Sequence, residues 1–194
     1  MTDWKSNHIA NDGITCTIAR TTPYTGKMII AKMKGSTSDY SVGNRRLINA
    51  LLASNLATGE IVTAGSETLI CVVSKKEVIQ GTDISIIGHG LICNTTLTVT
   101  RDVLTYDSNG NVTGSTASTI VNSAYCRVDQ VTARMRQEDA GLLPGTVMKV
   151  YTKDASTLVL LDKASVAGSF YRVDDINRLE IPGAMVLQLG VWAG

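Results

Sequence analysis

Residues 95–104 read Thr95-Thr96-Leu97-Thr98-Val99-Thr100-Arg101-Asp102-Val103-Leu104, with polar and apolar side chains alternating through Thr100. A period of two places Leu97 and Val99 on one face and threonines on the other, the pattern of a strand with one buried side. The order Thr-x-Thr-apolar-x-Arg of residues 96–101 also occurs 81 positions earlier, in Thr15-Cys16-Thr17-Ile18-Ala19-Arg20. Thr68–Lys75 and Thr146–Lys153 match again at an offset of 78. Two matches in one order at nearly one offset point to a duplicated β module of about 80 residues. Chance similarity between β-branched strands is the alternative.

Composition extends this reading to the whole chain. Val, Ile and Thr account for 57 of 194 residues, whereas Phe, Trp and Tyr together make up 5%. β-branched side chains are stiff at χ1 and fit a pleated surface. Further strands are predicted at 28–33, 60–63, 68–73, 84–87, 120–131, 146–152, 157–161, 169–173 and 184–192. Short strands separated by turn residues predict a mainly β protein, an antiparallel barrel or sandwich. Residues 1–94 form the first module and 95–194 the second. No Pro-rich linker separates them near Cys93–Thr95, so they can share one core.

One segment departs from alternation. Between Asn44 and Ala57, Leu47, Ile48, Leu51, Leu52 and Leu56 recur at helical spacing, predicting one helix over 44–57 that Ser41 or Asn44 caps and Gly59 ends. Tyr106–Gly114 holds Asp107, Ser108, Asn109, Gly110 and Asn111, residues that tolerate positive φ and predict a solvent-facing hairpin loop.

The formal net charge of +1 excludes a protein that coats nucleic acid or an anionic membrane by charge alone. No apolar run approaches the roughly 20 residues that cross a bilayer, and the N-terminus lacks a signal pattern, so a soluble chain is expected. Cys16, Cys71, Cys93 and Cys126 are too far apart for zinc-cluster spacing and read as buried thiols in a reducing compartment, with two disulfides as the alternative.

Catalytic patterns are sparse. His8 falls in an N-terminal tail, and His89 lies in Gly88-His89-Gly90, a turn between strands. Neither a nucleophile elbow nor a phosphate loop occurs, and no catalytic residue, metal or cofactor is assigned. The adjacent carboxylates Glu138-Asp139 and Asp174-Asp175 point to opposite faces if extended. Asp107–Asn111 is oxygen-rich but lacks the closing acid of a calcium loop. Arg127, Arg134 and Arg136, followed by Glu138 and Asp139, form a mixed-sign segment suited to a neighbouring subunit, or simply solvated. Arg134, Arg136, Glu138 and Asp139 are the subunit-interface candidates.

From Thr95 onward the chain resembles the β-barrel head-to-tail connector proteins of tailed bacteriophages, also called head-completion, stopper or neck proteins. The resemblance lies in the order of Thr96–Arg101, the Asp107–Gly114 turn, Ala140-Gly141-Leu142-Leu143-Pro144-Gly145, Ser169–Val173, and Ile181-Pro182-Gly183-Ala184 leading into Val186–Leu189. It implies a virion protein at the neck, assembled in the host cytoplasm as a ring of identical subunits. Portal or adaptor proteins and tail-terminator-type proteins would be its neighbours. Double-stranded DNA would pass through or be held in the lumen without sequence specificity, and the Asp107–Asn111 loop would face a partner or that lumen. No catalytic residue is implied. Members of this type are often nearer 100 residues, and the N-terminal half of this chain is additional. Another tail or virion component, such as a terminator or adaptor, and a β-sandwich ligand-binding module are the alternative readings.

Overall fold

The computed structural model describes residues 4–33 and 44–193. After helix α1 (Trp4–Asp12), six strands follow: β1 (Ile14–Ala19), β2 (Tyr24–Lys32), β3 (Arg45–Ala50), β4 (Ile61–Ala64), β5 (Glu67–Ile79) and β6 (Thr82–Ile92). Six more follow with one short helix among them: β7 (Thr95–Tyr106), β8 (Val112–Gln130), α2 (Ala133–Glu138), β9 (Thr146–Lys153), β10 (Lys163–Val166), β11 (Ser169–Asn177) and β12 (Ala184–Val191). Every pairing is antiparallel, and each set of six closes into a barrel. The circular order is β1-β2-β3-β6-β5-β4 in the first and β7-β8-β9-β12-β11-β10 in the second, the same path drawn twice.

The repeated Thr-x-Thr-apolar-x-Arg pattern marks β1 and β7, the opening strand of each barrel. The second sequence match does not survive. Thr68–Lys75 lies in β5, a fifth strand, whereas Thr146–Lys153 is β9, a third strand, so their likeness is one of strand composition only.

The helix predicted over 44–57 is also absent. Residues 45–50 are strand β3, Leu52–Ser54 form a single 3-10 turn, and Leu56 drops into the first barrel's core. Arg46, Ile48 and Ala50 point inward, alternating with Leu47 and Asn49. Five apolar residues at helical spacing had merged a short strand, a turn and a plug into one apparent face. β3 lies between β2 and β6, whose edges would otherwise stay open. Ser41, one of the proposed caps, lies outside the described residues. The longest helix among the described residues is α1, which docks Ile9 into the structure and includes His8, 2.7 Å from Asp12, rather than a loose tail.

Two further expectations are corrected. Residues 157–161 are a looped segment, and the strand follows at β10. His89 is not in a turn: it sits in the middle of β6 opposite Leu47, with Gly88 and Gly90 facing inward where a Cβ would come within 3.2 Å of Leu56 and 3.1 Å of Ile48. The glycines there make room for packing.

Each barrel has its own core, built on Ile18, Met28, Ile48 and Leu69 in one and Leu97, Val99, Met185 and Leu187 in the other. A third cluster joins them, with Ile61, Ile70 and Leu91 meeting Ile181, Ala184 and Val186. β12 is buried on both faces for this reason: Met185, Leu187 and Leu189 fill the second barrel while Ala184 and Val186 face the first. At this junction Gly59 and Gly183 touch backbone to backbone, both at positive φ. A Cβ on Gly59 would lie 2.0 Å from the Gly183 carbonyl oxygen.

Candidate functional site: a projecting two-stranded ribbon

β7 and β8 continue past the barrel they belong to. Beyond Thr100, β7 pairs only with β8, and β8 acquires a second neighbour only at Cys126. The result is a two-stranded ribbon, Asp102–Ala117, with both outer edges unpaired and every residue exposed. Five residues per strand project it roughly 17 Å. Its register runs from Asp102 opposite Ala117 to Tyr106 opposite Val112.

Local chemistry explains how so exposed a hairpin holds its shape. At the tip the Asp107 carboxylate accepts hydrogen bonds from the Asn109 and Asn111 backbone N–H groups at 2.9 and 2.8 Å and from the Asn111 side chain. These bonds, the Asn111 backbone one foremost, hold the carboxyl below its ordinary pKa. Gly110 supplies the positive φ that the turn requires. The oxygen-rich Asp107–Asn111 segment is therefore a self-bonded turn. Where the ribbon leaves the barrel, β8 carries an extra residue twice, and Ser123 adopts φ 47° with its N–H bonded to the Thr98 hydroxyl. Such bulges sharpen twist and redirect strands.

The root is anchored by a charged pair. Arg101 donates from Nε and Nη2 to the two oxygens of Asp162, at 2.7 and 2.8 Å, and also to the Thr157 carbonyl. Asp162 is buried and accepts from the Val159 N–H as well. This fixes the 157–162 loop beside the root, where Val159, Leu160 and Leu161 are exposed around a recess of about 250 Å³ that Lys163 and Trp192 also line. The Lys163 ammonium lies over the Phe170 ring at 4.1 Å and the Trp192 ring at 5.4 Å.

The ribbon's composition is unusual for open strand edges. Between Val103 and Tyr125 the only charged residue is Asp107, and proline is absent. Val103, Leu104, Tyr106 and Val112 are all at least 48% exposed. Exposed edges in stable monomers are ordinarily blunted by lysine or proline. Sequence reasoning located the turn but missed the ribbon, although the charge-free run was visible.

The mixed-sign segment has a different setting. Arg134 pairs with Glu138 one turn along α2, Asp139 bonds Lys149 and the Gly141 N–H, and Arg136 donates to the carbonyls of Leu143, Pro144 and Thr146. Arg127 pairs with Asp129 on its own strand. Each charge thus has an intrachain partner, and Arg136 and Asp139 shape the 139–146 loop. That loop covers buried Gln188, which accepts from the Leu143 N–H and Thr146 hydroxyl and donates to the Gly141 carbonyl. Asp174 and Asp175 likewise diverge, one toward Arg172 and the other toward Gln188. Among the described residues no group of three or more His, Cys, Asp or Glu is placed to hold a metal ion, and no helix is long and apolar enough to cross a membrane.

Comparison with known proteins finds no family model, no curated protein and no solved structure that matches the chain.

Proposed function

We propose that the chain is a structural subunit of a tailed-bacteriophage neck, forming a ring that joins the portal side of the head to the tail and through which double-stranded DNA passes or is held. The single observation that carries this reading is the ribbon Asp102–Ala117, an extended strand pair with two open edges on an otherwise closed barrel. A lone two-stranded hairpin is marginal in water, so a projecting one is a feature of a protein that works in assembly.

Three further observations support it. The segments that carry the connector resemblance fall on β7, the ribbon tip, the loop before β9, the start of β11 and the turn into β12, all within one barrel. Closed barrels and paired charges give a rigid wall. A net charge of +1 avoids the counterion-driven grip that would stall DNA in a channel. The reading assigns the chain an assembly role and no chemistry.

The test is removal of the protein from the virus that encodes it. Filled heads and separate tails should accumulate, and purified protein added back should join them. Normally joined particles without the protein would overturn the reading.

A further inference from the structure

We infer that each barrel is closed by one latch built twice, an arginine at the end of the first strand clamping the strap that leads into the fourth, and that the first latch, Arg20 on Glu60, also holds the two barrels together.

The two straps, residues 52–60 and 154–162, make the same bonds. Gly59 and Leu161 donate their N–H groups to the carbonyls of Cys71 and Val173, at 2.7 and 2.8 Å. Cys71 and Val173 return theirs to the carbonyls of Glu60 and Asp162, at 2.9 and 3.0 Å. Gly59 and Leu161 both have positive φ, 86° and 70°, and each strap buries one leucine, Leu56 or Leu158. The arginines that end the repeated Thr-x-Thr-apolar-x-Arg pattern close on these straps. Arg20 donates to the Glu60 carboxylate at 2.9 Å and the Ser54 carbonyl at 3.0 Å, as Arg101 does to Asp162 and the Thr157 carbonyl. Each carboxylate also accepts the backbone N–H three positions upstream, from Ala57 or Val159.

Position gives the latch its role. β4 and β10 are four-residue strands, and each meets the first strand of its barrel through only four residue pairs. Arg20 and Glu60 come next in the ladder after Ala19 and Ile61, and Arg101 and Asp162 after Thr100 and Lys163. A charged pair therefore takes over where backbone pairing stops, and bonds between charged groups are the stronger kind.

The first latch has a second load. Gly59, next to Glu60, lies against the Gly183 backbone, and Ile61 on the other side belongs to the cluster that joins the barrels. In the second barrel the matching strap residues Val159, Leu160 and Leu161 are exposed, and Lys163 stands where the first has Ile61. The bonding differs too. Arg101 reaches its carboxylate with Nε and Nη2, whereas Arg20 uses Nη2 alone and its buried Nε has no partner. Release of Arg20 frees Gly59 and with it the junction, whereas release of Arg101 frees only its own strap.

The test is amide hydrogen exchange of the full chain, resolved by residue. In Arg20→Ala, and in the gentler Glu60→Gln, exchange at Gly59, Cys71 and the junction residue Ala184 should quicken by about tenfold while Leu161 and Val173 keep their wild-type rates. In Arg101→Ala, Leu161 and Val173 should quicken and Ala184 should not. The wild-type chain supplies a reading that needs no variant to fold: in urea below the unfolding transition, Gly59, Cys71 and Ala184 should lose protection together, with one dependence on urea. Strap amides unmoved by Arg20→Ala would overturn the latch. Ala184 unmoved while the strap amides quicken, or separate urea dependences in the wild type, would overturn its hold on the junction.

Discussion

Thiol chemistry at single residues gives the simplest check on the barrels. Burial pushes the Cys71 and Cys126 thiols up to about 12 and those of Cys16 and Cys93 to about 11, from an ordinary value of 9.0. At neutral pH all four stay protonated, and a protonated thiol is a poor nucleophile. A thiol reagent should therefore label the native chain slowly and all four positions once denaturant is added. Fast labelling of Cys71 in the native state would contradict its placement. The linkage follows in sign: above pH 9 the unfolded chain loses these protons first, so stability falls as pH rises from about 9 toward 12. At the ribbon tip the sign is opposite, because the Asp107 carboxyl is held below its ordinary value. The tip's order is present above the ordinary carboxyl pKa and is lost as pH falls through the depressed one. Protection of the Asn109 and Asn111 amides from exchange, relative to an unstructured peptide at the same pH, should fall in acid and, at neutral pH, in Asp107→Ala. Unchanged protection in both would remove Asp107 as the organiser of the turn.

At the scale of elements, β3 shows where reading the sequence succeeds and fails. The strand-rich class and the opening strand of each module were legible, because alternation along Thr95–Thr100 and Thr15–Ala19 has a period only strands share, whereas barrel and sandwich were left as alternatives that only the closure of the sheets decides. Arg45–Ala50 was misread because Leu47 and Ile48 are neighbours that suit either period, and a short apolar run leaves the choice to tertiary partners. Those partners, β2 and β6, are not visible in the segment itself. The ribbon was half legible: Asp107–Asn111 marked the turn, but projection depends on β9 and β10 ending early, which no local pattern records. Inward Ile48 is fully buried and Leu47 is not, so Ile48→Ala should cost about 2–5 kcal/mol and Leu47→Ala clearly less in urea denaturation. Equal costs would argue against a strand with one inner face. The root pair is a second element-scale test. Asp162→Ala leaves Arg101 and the Val159 N–H without their buried carboxylate and should lower the urea midpoint, whereas Arg101→Ala, which removes the exposed partner, should lower it less. An unchanged midpoint in Asp162→Ala would make the pair a surface ornament.

For the whole molecule, the question is whether two closed barrels behave as one unit. A repeated path and separate cores favour independence, as in a duplicated chain whose halves could each fold. The joining cluster opposes it. Ile61, Ile70 and Leu91 are buried in one cluster with Ile181, Ala184 and Val186, and β12 serves both its own barrel and this junction. Separating the barrels would expose that cluster, and a buried side chain of this size contributes about 1.5–3 kcal/mol. Several such residues outweigh what a flexible link would gain, so the barrels should melt together in one calorimetric transition whose van't Hoff and calorimetric enthalpies agree. The contact of Gly59 with Gly183 sharpens the test, because a Cβ on Gly59 has no space and its φ of 86° already disfavours one. Gly59→Ala should therefore part the barrels more than it harms either core. It should split the single transition into two, or lower the shared melting temperature by several degrees, as a loss of about 2 kcal/mol would. A wild type with two transitions, or a Gly59→Ala chain that melts as wild type does, would mean that the barrels fold and open independently and that the junction is only a surface of contact.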